Sequence, residues 1–214
     1  MKWLWVLVTV AIMVIAGRAQ DQVRPNSMGE MVIRAVPPVT AATVLVKASD
    51  YAPNHGWEPG ERGVEQATDA MLINGYDKLA RWMKEGGRPA GPSFVIFNED
   101  PATTEPQNLT CKIGYPVAEK ETGRHLVTIE HMPAMTAAVV EHQGSPADRA
   151  AARDSLGKWI QSRGYAPAGP FMEIYLNGSH GNRSESDNRA EIRWPVRRTG
   201  PARGPLPNPA GTPR

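Results

Sequence analysis

The chain has 214 residues, 41% of them hydrophobic, and a formal charge of +2, which is enough apolar material for the core of one or two globular domains. Residues 30–196 alone carry 17 lysines and arginines against 21 aspartates and glutamates, so this part is acidic by about four charges. An acidic domain without a basic stripe is unsuited to neutralising phosphates, which excludes nucleic acid as a partner. The single cysteine, Cys111, excludes an internal disulfide and is typical of a small core residue.

The N-terminal segment has the pattern of a secretion signal. Lys2 precedes an apolar run over residues 3–16, and Gly17-Arg18-Ala19 has the small-x-small form of a signal-peptidase site. We therefore expect a signal peptide over residues 1–19 and an exported protein, periplasmic or extracellular. Because a membrane span needs about 20 apolar residues, an uncleaved anchor over residues 3–16 is the alternative, and it is the only membrane association that we expect.

Two polar segments flank the central part of the chain. Residues 20–29 are predicted to be a linker. Residues 197–214 contain five prolines and only Leu206 as a large apolar residue, which predicts a disordered Pro/Arg-rich tail. One folded domain is therefore predicted over residues 30–196.

An internal repeat organises this domain. Residues 37–44 recur 96 positions later as residues 133–140, and both segments are typical of a strand entered after a proline. A Leu-x-x-Trp helix pattern and a Gly-Pro turn followed by a strand then recur in the same order, at Leu79–Trp82 with 91–97 and at Leu156–Trp159 with 169–175.

Apolar spacing predicts one helix in each copy. Both helical segments carry apolar residues at i, i+4 and i+7, and glycines stop them: Leu72, Tyr76, Leu79, Met83 before Gly86-Gly87, and Ala152, Leu156, Trp159, Ile160 before Gly164. Further strands are expected at 109–117, 126–130 and 190–195. The predicted fold class is α+β, with tandem pseudo-twofold strand-helix-strand-strand modules, helices on one side of an antiparallel sheet, and a groove or central cavity between the modules.

Short motifs follow one another along this domain in a defined order. They are Gly91-Pro92 with Phe97-Asn98-Glu99, Ile113-Gly114-Tyr115-Pro116-Val117, Met132-Pro133-Ala134, His142-x-Gly144, Leu156-x-x-Trp159-Ile160, Gly164-Tyr165, Glu173-x-Tyr175 and Glu191-Ile192 before Pro195. The ordered set resembles the GyrI-like small-molecule-binding domain, which is similar to the effector-binding domain of AraC-type and multidrug-sensing regulators. The resemblance implies a bacterial protein with a cavity for lipophilic, often cationic molecules.

The resemblance also implies a ligand-contacting glutamate on the second Gly-Pro strand, and Glu173 occupies that position. Glu173 and Tyr175 are two residues apart in a strand, so their side chains share a face and could offer a carboxylate and an aromatic wall to a cation. The alternative is a structural ion pair between Glu173 and Arg193 or Lys112 across the sheet.

Four other aromatic residues are candidate ligand contacts. Phe97 and Tyr115 are expected on strands near the cavity, and Tyr51 and Trp57 lie in the longer loop of the first repeat, where they could cover its mouth. The five histidines form no ligand pattern with Cys111 or nearby carboxylates, so no metal and no cofactor are predicted. His142 is interpreted as structural.

The sequence thus predicts an exported protein that binds a lipophilic or cationic small molecule without a DNA-binding domain. A small-molecule hydrolase using Glu173 as general acid or base, together with Tyr175, is the first alternative. A protein-interaction module of the cell envelope, using a sheet edge and the basic tail, is the second. The sequence names no protein partner.

Overall fold

The structure, a computed structural model, describes residues 27–177 and 188–200. The predicted signal peptide over residues 1–19 lies outside this part of the chain, as do residues 20–26 of the predicted linker and 201–214 of the predicted tail.

The described residues form ten strands and two α-helices. The helices are α1, Glu61–Lys84, and α2, Pro146–Ser162. The strands are β1 Ser27–Met28, β2 Val32–Val36, β3 Val39–Lys47, β4 Phe94–Phe97, β5 Thr110–Pro116, β6 Thr128–Met132, β7 Met135–Gln143, β8 Tyr165–Pro167, β9 Met172–Tyr175 and β10 Arg189–Arg198. Short 3-10 turns at Ala48–Tyr51 and Pro106–Asn108 complete the fold.

All strands join one antiparallel sheet, in the order β1-β7-β10-β9-β4-β5-β3-β6, with β2 also on β7 and β8 on β10. The two strands that follow the Gly-Pro turns, β4 and β9, pair at its centre, where Val95 lies opposite Glu173. This arrangement confirms the predicted α+β class.

The two ends of the sheet are joined by a ribbon of bent strands. β2 pairs with β7 and β3 pairs with β6 in one unchanged register, from Val32 opposite Val139 to Thr43 opposite Thr128. β2 and β3 therefore form one side of a continuous antiparallel ribbon, and β6 and β7 form the other. Prolines at 37, 38 and 133 lie at the bends, where a missing N–H interrupts the ladder.

Both helices pack on the same face of the sheet, which we call the helix face. Ala67, Met71 and Leu79 of α1 are fully buried in one core with β3 and β5. Leu156 and Ile160 of α2 are fully buried in a second core with β7 and β10. α2 begins after Ser145, whose hydroxyl accepts a hydrogen bond from the Asp148 backbone N–H, a common helix cap.

The centre of the opposite face of the sheet is also buried, although no described helix covers it. Met132, at a bend of the ribbon, packs against a cluster that contains Phe94, Met172 and Ile174 of the central strands. Because the ribbon folds back in this way, the central strands are buried on both faces, as their unbroken apolar runs would require.

Some boundaries differ from those predicted. Residues 27–29, predicted as linker, pair with β7 because Gly29 donates its N–H to the Glu141 carbonyl over 2.8 Å. β10 continues through Arg197 and Arg198, predicted as tail, because β8 pairs with it there. The strands β2 and β8 were not predicted, since neither carries a strong alternating pattern.

Candidate functional site

A strip of the helix face lies between the two helices. α1 packs on β3 and β5, and α2 packs on β7, β8 and β10, so the helix-face residues of the central strands β4 and β9 lie between them. We call this strip the interhelical groove. Its floor is formed by Val95 and Phe97 of β4 and by Glu173 and Tyr175 of β9, all less than 10% exposed.

Glu173 is the charged residue of the groove floor. Its carboxylate lies 3.2 Å from Arg149 Nε and 3.1 Å from Arg153 Nη1, and the Tyr175 hydroxyl donates a hydrogen bond to Oε2 over 3.3 Å. The pairing proposed across the sheet is not observed: Lys112 pairs with Glu130 and Arg193 pairs with Glu191, on the other face. The partners of Glu173 come instead from α2.

Arg149 and Arg153 were not identified from the sequence. They lie one helical turn apart on the flank of the apolar stripe Ala152-Leu156-Ile160, so both guanidiniums reach over the groove. Each side chain is mostly buried, with 12% of Arg149 and 14% of Arg153 exposed. Their i, i+4 spacing was the available signal, but charged residues on a helix are more often solvated.

The two arginines also cover aromatic rings of the groove. The Arg149 guanidinium carbon lies 5.2 Å from the centre of the Tyr175 ring, and that of Arg153 lies 4.7 Å from the centre of the Phe171 ring. These distances are typical of cation–π contacts. The arginines thus occupy both the carboxylate and the aromatic faces that the sequence interpretation assigned to a cationic ligand.

Burial and charge set the protonation of two neighbouring groups. Burial, followed by the nearby Glu173 carboxylate, raises the pKa of Tyr175 well above its ordinary value, so this phenol is a neutral hydrogen-bond donor. Burial, followed by the Arg149 charge, lowers the pKa of His142 on β7. His142 therefore adds no positive charge to the site at neutral pH.

Phe97 of the groove floor and Tyr115 of β5 both pack in the first core. Phe97 stacks on Phe171 with ring centres 5.2 Å apart, and Phe171 in turn contacts Trp194 of β10. Tyr115 contacts Tyr76 of α1 edge to face at 6.4 Å, and burial raises its pKa. The Tyr76 hydroxyl donates to Ser93 Oγ over 3.1 Å, so the two tyrosines form the wall of the groove on the α1 side.

Tyr51 and Trp57 are attached to the outer part of the first core. Lys78 Nζ donates to the Tyr51 hydroxyl over 2.7 Å and lies over its ring. Because Lys78 and Tyr76 are two residues apart on α1, they point in nearly opposite directions, and Tyr51 lies on the flank away from the groove. Trp57 packs on the same core with its indole N–H unpaired among the described residues. The described contacts bring neither residue to Glu173.

Other chemistries find no support in the part of the chain that the structure describes. Within residues 27–177 and 188–200, no three His, Cys, Asp or Glu side chains converge as a metal site would require. Burial raises the pKa of the Cys111 thiol to about 12, so Cys111 is a core residue as predicted and not a thiolate nucleophile. None of the described helices has the length and hydropathy of a membrane span.

Comparison with known families identifies the class of the protein. The family model of the GyrI-like small molecule binding domain matches residues 59–197, and the chain belongs to this family. The sequence resemblance to this family is therefore confirmed. No curated protein matches the sequence.

Solved structures of low sequence identity share the fold. The C-terminal domain of EcmrR is 14% identical with a TM-score of 0.60, over 79% of this chain and 98% of that domain. SAV2435 bound to tetraphenylphosphonium is 14% identical with a TM-score of 0.51, over 78% and 94%. A hydrolase from Listeria innocua is 13% identical with a TM-score of 0.50, over 78% and 92%. In the EcmrR–DNA complex the chain spans only 57% of EcmrR.

Proposed function

We propose that this chain binds a lipophilic small molecule in the interhelical groove. The observation that carries the proposal is the cluster of Glu173, Tyr175, Arg149 and Arg153 between the helices. Three ionised groups in a mostly buried position are costly for stability alone, because an apolar core of the same volume is often as stable or more so. Polar groups gathered among aromatic walls are the usual composition of a ligand site.

A cationic ligand is supported by one fold neighbour, SAV2435, which is bound to the lipophilic cation tetraphenylphosphonium. In this chain, however, a cation would have to displace Arg149 and Arg153 from Glu173 and from the rings of Tyr175 and Phe171. The geometry therefore favours the lipophilic character of the predicted ligand over its positive charge.

The test is a thermal-denaturation screen of the protein against aromatic compounds of neutral, positive and negative charge, including tetraphenylphosphonium. A ligand that binds the native state raises the midpoint by mass action. We expect at least one charge class to raise it, with a shift that changes in Glu173→Gln. Glu191→Gln is the matched control, because Glu191 is also buried between two arginines but lies on the other face of the sheet. A flat screen, or equal changes in both variants, would reject the proposal.

A hydrolase is the second candidate, because one fold neighbour, the Listeria innocua protein, carries that name. Glu173 would act as general acid or base beside the Tyr175 hydroxyl. This candidate requires turnover of a small electrophilic substrate that is lost in Glu173→Ala while the folded fraction, measured by circular dichroism, is retained. Turnover that survives in Glu173→Ala would exclude a hydrolase that uses Glu173.

We also propose that the protein is exported, because residues 1–19 have the pattern of a secretion signal. Expression in a bacterial host followed by fractionation tests this proposal, with the mature protein expected in the periplasm or medium and starting at Gln20. Retention in the cytoplasm with Met1 intact would contradict it.

A further inference from the structure

The arginines of the groove carry one more charge than the carboxylate between them. Within the described residues, Glu173 is the only carboxylate at ion-pair distance from Arg149 or Arg153. Each arginine has an acidic neighbour in sequence: Asp148 accepts a hydrogen bond from Ser145 at the start of α2, and Asp154 lies at an exposed position of the helix. Among the described residues one guanidinium charge therefore remains unmatched, in a position where both arginines are more than four-fifths buried. A charge removed from water in this way requires a counter-ion.

The two guanidiniums also have unused hydrogen-bond donors. A guanidinium has five N–H groups in a planar fork that fits a carboxylate in a bidentate manner. Arg149 directs Nε and Arg153 directs Nη1 to Glu173, and in the described part of the chain their other nitrogens have no hydrogen-bond partner. A molecule that enters the groove from solvent therefore meets guanidinium N–H groups before it meets the carboxylate, which is 3% exposed.

The surroundings add aromatic surface on the α1 side and at one end of the groove. Tyr76 and Tyr115 form that wall, and Phe171 and Trp194 form the end of the groove near Arg153. A ligand with an aromatic or aliphatic body and one acidic group would pack against these rings and pair its charge with the arginines.

We propose that the ligand of the interhelical groove is a lipophilic organic anion whose carboxylate, or an equivalent acidic group, binds to Arg149 and Arg153. This inference rests on the proposed function, the binding of a small molecule in the groove, and specifies its charge.

The experiment uses three compounds that share one aromatic body and differ in charge: 2-naphthylacetate, 2-naphthylacetamide and 2-(2-naphthyl)ethylammonium. Their dissociation constants are measured by calorimetry at pH 7.5 and low salt, because salt screens partly exposed charges. We expect the carboxylate to bind at least about tenfold more tightly than the amide, which corresponds to one charge-assisted contact, and the ammonium to bind weakest.

Substitutions on α2 assign the effect to the arginines. Arg153→Gln is expected to weaken the carboxylate by about tenfold and to change the amide by less than about twofold. Lys158→Gln is the matched control, because it removes the same charge from an exposed position of the same helix. Equal weakening in Arg153→Gln and Lys158→Gln would overturn the assignment to the groove.

Glu173→Gln separates the two possible ligand charges by the sign of its effect. It removes the competing carboxylate, so an anion should bind about threefold to tenfold more tightly, whereas a cation would bind more weakly. If the amide or the ammonium binds as tightly as the carboxylate, the anion proposal fails and the groove remains a ligand site. The anion proposal also fails, and the groove remains a ligand site, if only neutral or cationic compounds of the wider screen bind. If the whole screen is flat, the proposed function fails as well.

Discussion

The interpretation of Glu173 depends on its two partners, Arg149 and Arg153. Alternation along β9 indicates from sequence that Glu173 and Tyr175 share a face, and the structure places both on the groove floor. The two arginines that neutralise the carboxylate could not be predicted, because their approach depends on where α2 crosses the sheet. A glutamate whose sequence position suggests a binding site for cations is therefore part of a cluster that, among the described residues, carries a net positive charge.

His142 provides a prediction at this scale. Its pKa is lowered from 6.5 by burial and by Arg149, against weaker opposing effects of Asp148 and Glu173. The unfolded chain therefore binds a proton more readily, so the free energy of unfolding should fall as the pH drops below about 6.5 towards the folded-state pKa. In His142→Gln, urea titrations between pH 7.5 and 5 should show a smaller fall. His131→Gln, at an exposed position, is the control and should show the same fall in the free energy of unfolding as the wild type. An equal fall in all three proteins would refute the assignment of the effect to His142.

At the scale of elements, the sequence predicted both helices, since each carries an apolar stripe at helical spacing. In the first helix the apolar spacing begins only at Leu72, although α1 begins at Glu61. The residues in between are mostly polar or small, so they show no apolar stripe. The distance at which each helix packs on the sheet could not be predicted. It depends on glycines whose role appears only in three dimensions.

Substitution of one glycine by alanine in each helix tests this packing, at Gly75 in α1 and at Gly157 in α2. A Cβ at Gly75 would lie 2.3 Å from Ile113 Cδ1 and 3.1 Å from Val46 Cγ2, whereas at Gly157 its nearest neighbour is Trp194 at 3.4 Å. Gly75→Ala should lower the free energy of unfolding by about 1–3 kcal/mol through overpacking. Gly157→Ala should raise it by roughly 0.5–1 kcal/mol through helix propensity. Denaturant titrations measure both, and a stabilising Gly75→Ala would contradict the close approach of α1.

For the whole molecule, the decisive feature is the ribbon that joins the two ends of the sheet. Local patterns predicted strands at 37–44, 126–130 and 133–140, but the unchanged register between 32–43 and 128–139 is a long-range property that no local pattern contains. Sequence reasoning therefore predicted the helices on one face and missed that the centre of the other face is also covered.

Because the ribbon covers part of that face, truncating a side chain should lower the free energy of unfolding more beneath the ribbon than beyond it. Ile174 of β9 and Leu45 of β3 both point away from the helices, but Ile174 is 6% exposed beneath the ribbon and Leu45 is 51% exposed beyond it. Ile174→Ala should lower the free energy of unfolding by about 2–4 kcal/mol, and Leu45→Ala by less than about 0.5 kcal/mol. Similar values for both variants in urea titrations would mean that the ribbon does not cover the central strands.

The most direct measurement of the central claim is a crystal structure of the protein with the tightest-binding compound of the charge series. We predict that the compound lies between α1 and α2, with its aromatic body against Tyr76 and Tyr115 and its acidic group on Arg149 and Arg153. A compound bound at any other surface, with the Glu173–arginine cluster unchanged and no contact to it, would contradict the assignment of the interhelical groove as the ligand site.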